Sequence, residues 1–385
     1  MAELNPSQEI LALQTAIYQQ ADPTGDEALH KRLIQAIAKQ KQPAPVPQPT
    51  FTKKSRGVLG PDTTGLSVET ALRFPELPTA LYPLLNPATD PLLLVRVENT
   101  SGKKRRVRVT AYLEGLSAQA VKTIEVAPGS DEVLKLSPTL LPDKARELTT
   151  VQWATLHVVA HDLDGKEERH DTVPLLCLAR DSGFNAAVFD PQSGVMQDLT
   201  HYYGAWVTPY VEPVQHLIRE AAALLPDGRM LGYQAGANGS PDLTMADAQV
   251  EALYTALKNR EIAYVHSVIS YGTPKSAFMQ RTRLPRETLA LRSANCLDAA
   301  VLMASLIEGV SLNPALVLVP GHAFVGWQAA PGVGNWRYLE VSMTRSSSFA
   351  EARASGDKQY AAWKDVQLKR HELAQLRADR IWPME

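Results

Sequence analysis

The chain has two cysteines, Cys177 and Cys296, and the stretch "SANCLDAA" gives the second one a setting in which it can react. Ser293 or Asn295 can cap a helix that begins there. Asp298 stands three residues beyond Asn295, the spacing of a capping box with Asp in place of Glu. Cys296 then occupies the first helical turn, where unpaired N–H groups and the helix dipole favour a thiolate. A thiolate nucleophile needs an imidazole beside it, and the imidazole needs an acceptor on its other nitrogen. His322 in "VPGHAFVGW" and Glu340 in "YLEVS" follow in that order. If their runs pair antiparallel across the turn "PGVGN", both side chains come to the same end of one hairpin. A helix packed there with Cys296 at its start completes a set of Cys, His and carboxylate, suited to attack on an amide carbonyl through a thioester. Standing alone, a cysteine in an apolar helix reads as packing, and Cys177 in "PLLCLA", with no such companions, is read as core.

These segments, "NCLDAAVLMASLIEG", "VPGHAFVGW" and "YLEVS", resemble the three catalytic stretches of the transglutaminase-like superfamily of papain-like fold. The likeness runs over about residues 200 to 385 and takes in "VTPYVEPV", "IAYV" and "RLPRETL". The resemblance implies Cys296 as nucleophile, His322 as general base and acid, and Glu340 as the orienting acid. The superfamily's usual third residue is Asp, so Glu340 is a departure that a slightly retracted strand would accommodate. For the oxyanion, the backbone N–H of Cys296 is the expected donor, with the side chains of Gln280, Asn295 and Trp206 as candidates. The superfamily contains proteases, transamidases and peptide N-glycanases. Hydrolysis of an amide or peptide bond is the expectation, with transamidation or a catalytically silent protein-binding scaffold as the alternatives.

The elements that must hold these residues follow from periodicity. Leu13, Ile17, Leu33 and Ile37 recur at helical spacing, which predicts a helical hairpin over 1–41. The proline-rich "KQPAPVPQPTF" opens a linker and extended segment over 42–84. Leu93, Val95 and Val97, then Val107, Val109, Ala111 and Leu113, alternate with polar neighbours, and further short runs follow between Gly and Asp turns. That pattern predicts an immunoglobulin-like β-sandwich over 85–182. Helical runs and then strand runs after it predict an α+β catalytic domain over 183–385.

A length of 385 residues implies two or three domains, and 45% apolar with 21% charged residues is a globular composition. A net charge of -2 supplies no field for nucleic acid, and the "KKRR" run at 103–106 reads as a solvated hairpin tip. Two cysteines and a start without a signal-peptide pattern lead to the expectation of a cytoplasmic protein without disulfides, and no run is long enough to span a bilayer. His157 and His161 lie near Asp162, Asp164 and Glu167, but "DLDGKEE" reads better as a charged turn than as a metal site. No cofactor and no metal are expected. The expected partner is a protein or peptide substrate, and residues 1–41 are expected either to dock a protein partner or to fold back over the cleft. The loop "GYQAGANGS" lacks the lysine of a phosphate-binding loop and is expected to edge the substrate cleft.

Overall fold

The computed structural model describes residues 65–385 except 75, 166, 191–194, 237–241, 266–276, 333 and 385, and, before residue 65, positions 13, 32, 35, 36, 57 and 58. Of the expected helical hairpin, Leu13, Arg32, Gln35 and Ala36 are helical, with Leu13 and Ala36 buried. Ile17, Leu33, Ile37 and the rest of that segment lie outside the described residues.

The first part of the chain is built of two β-layers. Strands β1 (Gly57–Val58), β2 (Leu66–Leu72), β3 (Glu76–Leu77), β4 (Leu93–Asn99), β5 (Arg105–Leu113), β6 (Ala120–Val126), β7 (Ser130–Leu136), β8 (Gln152–Asp162) and β9 (Glu167–Cys177) form two sheets, with a short helix α1 (Pro142–Glu147) between β7 and β8. One sheet has the order β1-β2-β4-β7 and is antiparallel throughout. The other has the order β3-β9-β8-β5-β6, antiparallel apart from the short β3–β9 pair. The alternation seen in the sequence is real: Val107, Val109, Ala111 and Leu113 point inward from β5 and meet Val95, Val97 and Leu134 of the opposite sheet in a shared core. Asn99 ties the layers, its Nδ2 donating to the carbonyls of Lys103 and Val126 at 2.8 and 3.0 Å.

One boundary moves. β2 falls inside the segment expected as linker, yet it pairs with β4 over its whole length, from Leu66 opposite Asn99 to Leu72 opposite Leu93. Its alternation is masked because Glu69 and Thr70 are buried, Glu69 facing Arg96 across the sheet. The β-layers therefore begin upstream of residue 85.

The second part mixes helices and sheets. It comprises β10 (Ser182–Asp190), β11 (Val195–Asp198), α2 (Glu212–Ala222), α3 (Leu243–Lys258), β12 (Ala263–Tyr264), β13 (Ala277–Arg281), α4 (Pro285–Leu291), β14 (Ser293–Ala294), α5 (Cys296–Gly309), β15 (Pro314–Val319), β16 (His322–Gln328), β17 (Trp336–Leu339), α6 (Phe349–Trp363), β18 (Lys369–Glu372) and α7 (Leu373–Ala378). The chain is thus α+β. Its organising sheet has the order β17-β16-β15-β18, with every neighbour antiparallel. Across it lies α5, whose residues from Cys296 to Ile307 are all buried, so the helix is apolar on every side because it is enclosed on every side.

Polar anchors hold this arrangement. Arg377 of α7 forks onto Glu308 at the end of α5 at 2.8 and 2.9 Å and donates to the carbonyls of Gly204, Val207 and Ile381. Asp247 of α3 accepts from the Trp327 indole of β16 at 3.1 Å and pairs with Arg353 of α6. Among the described residues no helix is long and apolar enough to cross a membrane.

Candidate active site

The first turn of α5 is built as its sequence requires. Asn295 is the N-cap, its Oδ1 accepting from the Asp298 N–H at 2.8 Å, while Asp298 Oδ2 accepts from the Asn295 N–H at 3.1 Å. Asp298 is completely buried and does more than cap: its carboxylate also accepts from the backbone N–H and the guanidinium of Arg283, at 2.7 and 3.0 Å. Burial pushes this carboxyl up to about 6 against the pull of those donors. The cap and the Arg283 loop thus fix the helix start that carries Cys296, itself buried and free of any disulfide.

His322 opens β16 directly after Gly321, whose φ of 76° turns the chain from β15 into β16. Glu340 follows β17 and caps the 3₁₀ turn Val341–Met343. The hairpin register, Val325 opposite Leu339, brings the two to one end of the sheet. His322 Nε2 and Glu340 Oε2 are 2.6 Å apart. Three further hydrogen bonds hold the carboxylate: the N–H and hydroxyl of Ser342 donate to Oε1 at 3.0 and 2.6 Å, and the Gln359 amide of α6 donates to Oε2.

The electrostatics follow from that enclosure. Burial alone lowers an imidazole pKa, but the Glu340 charge and the Cys296 thiol beside the ring outweigh it and raise His322 well above its ordinary value. Burial likewise tends to raise Glu340, but the His322 charge and the donors from His322 and Ser342 bring it below the usual carboxylate range. With Nε2 committed to Glu340, Nδ1 is the ring nitrogen left over, and it is buried without a hydrogen-bond partner. An imidazolium held in this way has one proton to give and a thiol as its neighbour, the combination general acid–base and nucleophilic chemistry needs.

Of the side chains considered for an oxyanion, two are engaged elsewhere. Trp206 is fully buried and donates Nε1–H to the Thr282 carbonyl at 3.0 Å, bracing the segment that leads to Arg283. Asn295 uses its oxygen for the cap and its Nδ2–H for the Arg281 carbonyl at 3.1 Å. Gln280 lies on β13 opposite Gly183, and its side chain lies outside the described residues. The N–H of Cys296, at the first position of α5, remains the donor that helix geometry supplies.

Two contributors were not visible in the sequence. Gln359 belongs to a helix with little amphipathic pattern, and nothing in its spacing links it to Glu340. Gly356 has the same standing: a Cβ there would sit 2.5 Å from Leu339 N and 2.6 Å from the Tyr338 carbonyl carbon. Glycine inside a helix costs about 1 kcal/mol relative to alanine, and here it permits α6 to lie against β17 closely enough for Gln359 to reach the acid. The signal that could have found it is a lone Gly at mid-helix.

Other features noted in the sequence lie outside this site. The loop from Gly232 is fixed far from His322: Tyr233 donates its hydroxyl to the Gln328 carbonyl at 2.8 Å and accepts from the Asn313 N–H at 2.9 Å. Gln328 ends the strand that His322 begins, roughly 20 Å away at strand rise, so this part of the loop does not edge the site. Residues 237–241 of it lie outside the described residues. The "KKRR" run and the turn "DLDGKEE" meet: Arg106 forks onto Asp164 at 2.7 and 3.1 Å, and Arg105 pairs with buried Asp162. His157 Nδ1 lies 2.7 Å from His170 Nε2, and its ring stacks on Tyr112. Among the described residues no group of three or more His, Cys, Asp or Glu could hold a metal ion.

No protein-family model matches the chain, and no curated protein matches it. Among solved structures, it is similar to a FixG-related protein from Vibrio parahaemolyticus at 13% identity, covering 29% of this chain and 96% of that one with a TM-score of 0.23. It is also similar to the exo-chitosanase CsxA of Amycolatopsis orientalis at 10% identity, covering 51% of this chain and 25% of that one with a TM-score of 0.20. Likeness this slight carries no argument about the fold or the chemistry of this protein.

Proposed function

We propose that this protein is a cysteine-dependent hydrolase of amide or peptide bonds, with a catalytic domain of the transglutaminase-like, papain-like kind behind an immunoglobulin-like β-domain. The observation that carries this reading is the buried His322–Glu340 pair at 2.6 Å, with the second ring nitrogen unpartnered and the Cys296 thiol as neighbour at a helix start.

In this reading Cys296 acts as thiolate, stabilised by the His322 imidazolium and by the first turn of α5. The sulfur attacks the carbonyl carbon, and the resulting oxyanion is received by the N–H of Cys296. His322 gives the Nδ1 proton to the leaving nitrogen, the C–N bond breaks, and a thioester remains on Cys296. Water then loses a proton to Nδ1 as it attacks the thioester, and collapse releases the acid and restores the thiolate. Glu340 stays ionised throughout, holding the ring orientation and the Nε2–H tautomer. Ser342 and Gln359 keep the carboxylate itself from turning.

The test is a comparison of new protein termini across a proteome after expression of the wild type and of Cys296→Ala at equal levels. Termini that depend on Cys296 are expected. Their absence, together with incorporation of a tagged primary amine into glutamine side chains, would replace hydrolysis by amine transfer.

A further inference from the structure

Leu257, Ile262, Tyr264, Ala299, Leu302 and Val341 line a pocket that opens to solvent and is formed in part by close sequence neighbours of Cys296 and Glu340. Its walls are continuous with the catalytic parts. Ala299 lies one helical turn beyond Cys296 on α5, and Ala294, two residues before the cysteine, closes another side. Val341 and Ser342 are the residues after Glu340, and Ser342 is the one that donates to its carboxylate. The interior is apolar and narrow, with room for about one water-sized group. Arg345 stands at the rim, exposed, and has no hydrogen bond or ion pair with any described residue.

An apolar recess this narrow accepts a methyl, whereas an isobutyl or benzyl group has to displace its walls, and overpacking of that kind costs more than the added burial returns. A single added methylene already changes selectivity in such a recess about 10- to 200-fold. The unpaired guanidinium gives the rim one charge preference, since Arg presents a planar fork to a carboxylate. We propose that this pocket selects substrates in which the residue supplying the scissile carbonyl has an alanine-sized apolar side chain and a carboxylate stands close to it on its amino-terminal side. This selectivity rests on the thiol-hydrolase reading above.

The experiment measures alkylation of Cys296 in the full chain by chloromethyl ketones of acetyl-alanine, acetyl-leucine, acetyl-phenylalanine and succinyl-alanine, each rate divided by the iodoacetamide rate of the same variant. The alanine reagent is expected to react at least about tenfold faster than the phenylalanine one. The succinyl carboxylate is expected to add about fivefold, and Arg345→Glu, a surface change, to remove that gain. Tyr264→Ala, which opens the exposed wall, is expected to move the preference towards leucine. Equal rates for alanine and phenylalanine, or a succinyl gain that survives Arg345→Glu, would overturn the pocket while leaving the nucleophile intact. Iodoacetamide rates at Cys296 as low as those at Cys177 would instead sink the thiol-hydrolase reading, and the pocket's role with it.

Discussion

Replacing Glu340 with glutamine keeps the size of the side chain and removes its charge, which makes it the sharpest probe of the site. Both carboxylate oxygens receive donors: Ser342 gives two to Oε1, and His322 and Gln359 give one each to Oε2. A glutamine amide can present only one oxygen. If its NH₂ turns towards Ser342 it faces a backbone N–H that cannot reverse, so it turns towards His322, where the ring must become an acceptor at Nε2. The proton then moves to Nδ1, and the nitrogen beside Cys296 loses its capacity as base. The charge-assisted bond is also replaced by a neutral one, a loss of about 1–2 kcal/mol, which corresponds to about one unit in the imidazole pKa. The thiolate fraction at neutral pH is therefore expected to fall about tenfold, and turnover further, towards the loss of about 10⁴-fold seen when a triad acid is made neutral. The assay is iodoacetamide labelling of Cys296 from pH 5 to 9 by peptide mass spectrometry. Cys177 serves as internal control, since burial pushes its thiol up to about 11. A Glu340→Gln profile that superimposes on the wild type, in a protein that melts normally, would refute the coupling of acid, base and thiol.

The same pair makes stability depend on pH. His322 is raised, so its contribution is complete below its ordinary value of 6.5 and is lost as pH climbs through the higher folded value. Glu340 is lowered, so its contribution is complete above its ordinary value of 4.5 and is lost as pH falls through the lower folded value. The urea-midpoint gap between wild type and Glu340→Gln is therefore expected to be widest between pH 4.5 and 6.5 and to narrow on both sides. Asp298→Ala removes a cap and leaves the Arg283 guanidinium unpaired at a largely buried site, so a loss of about 2–3 kcal/mol is expected in urea unfolding. Gly356→Ala forces α6 off β17. It is expected to cost about 1–3 kcal/mol and to slow Cys296 labelling by loosening Gln359, whereas Lys358→Ala, at an exposed position of the same helix, is expected to do neither. Arg377→Ala strips Glu308 and three carbonyls of their donor, and about 2–3 kcal/mol of stability is expected to go with it in thermal or urea unfolding.

What the sequence determined by itself is local. The capping box at Asn295 and Asp298, the antiparallel hairpin that carries His322 and Glu340 to one end, and the alternation of β4 and β5 all follow from spacings of a few residues, where side-chain type and backbone geometry are directly linked. The chain could also be read as α+β, since that depends only on the order of such local patterns. What tertiary structure alone decided concerns partners distant in sequence. Gln359 reaches Glu340 from another helix, Gly356 admits that helix, Arg283 secures Asp298, and Trp206 and Asn295 spend their donors on the carbonyls of Thr282 and Arg281 rather than on a substrate. β2 was hidden for the same reason, because its buried Glu69 finds its countercharge on β4. A hydrogen-bond donor has no periodicity, and whether it is free for chemistry or already engaged depends on which distant acceptor the packed core brings within about 3 Å of it.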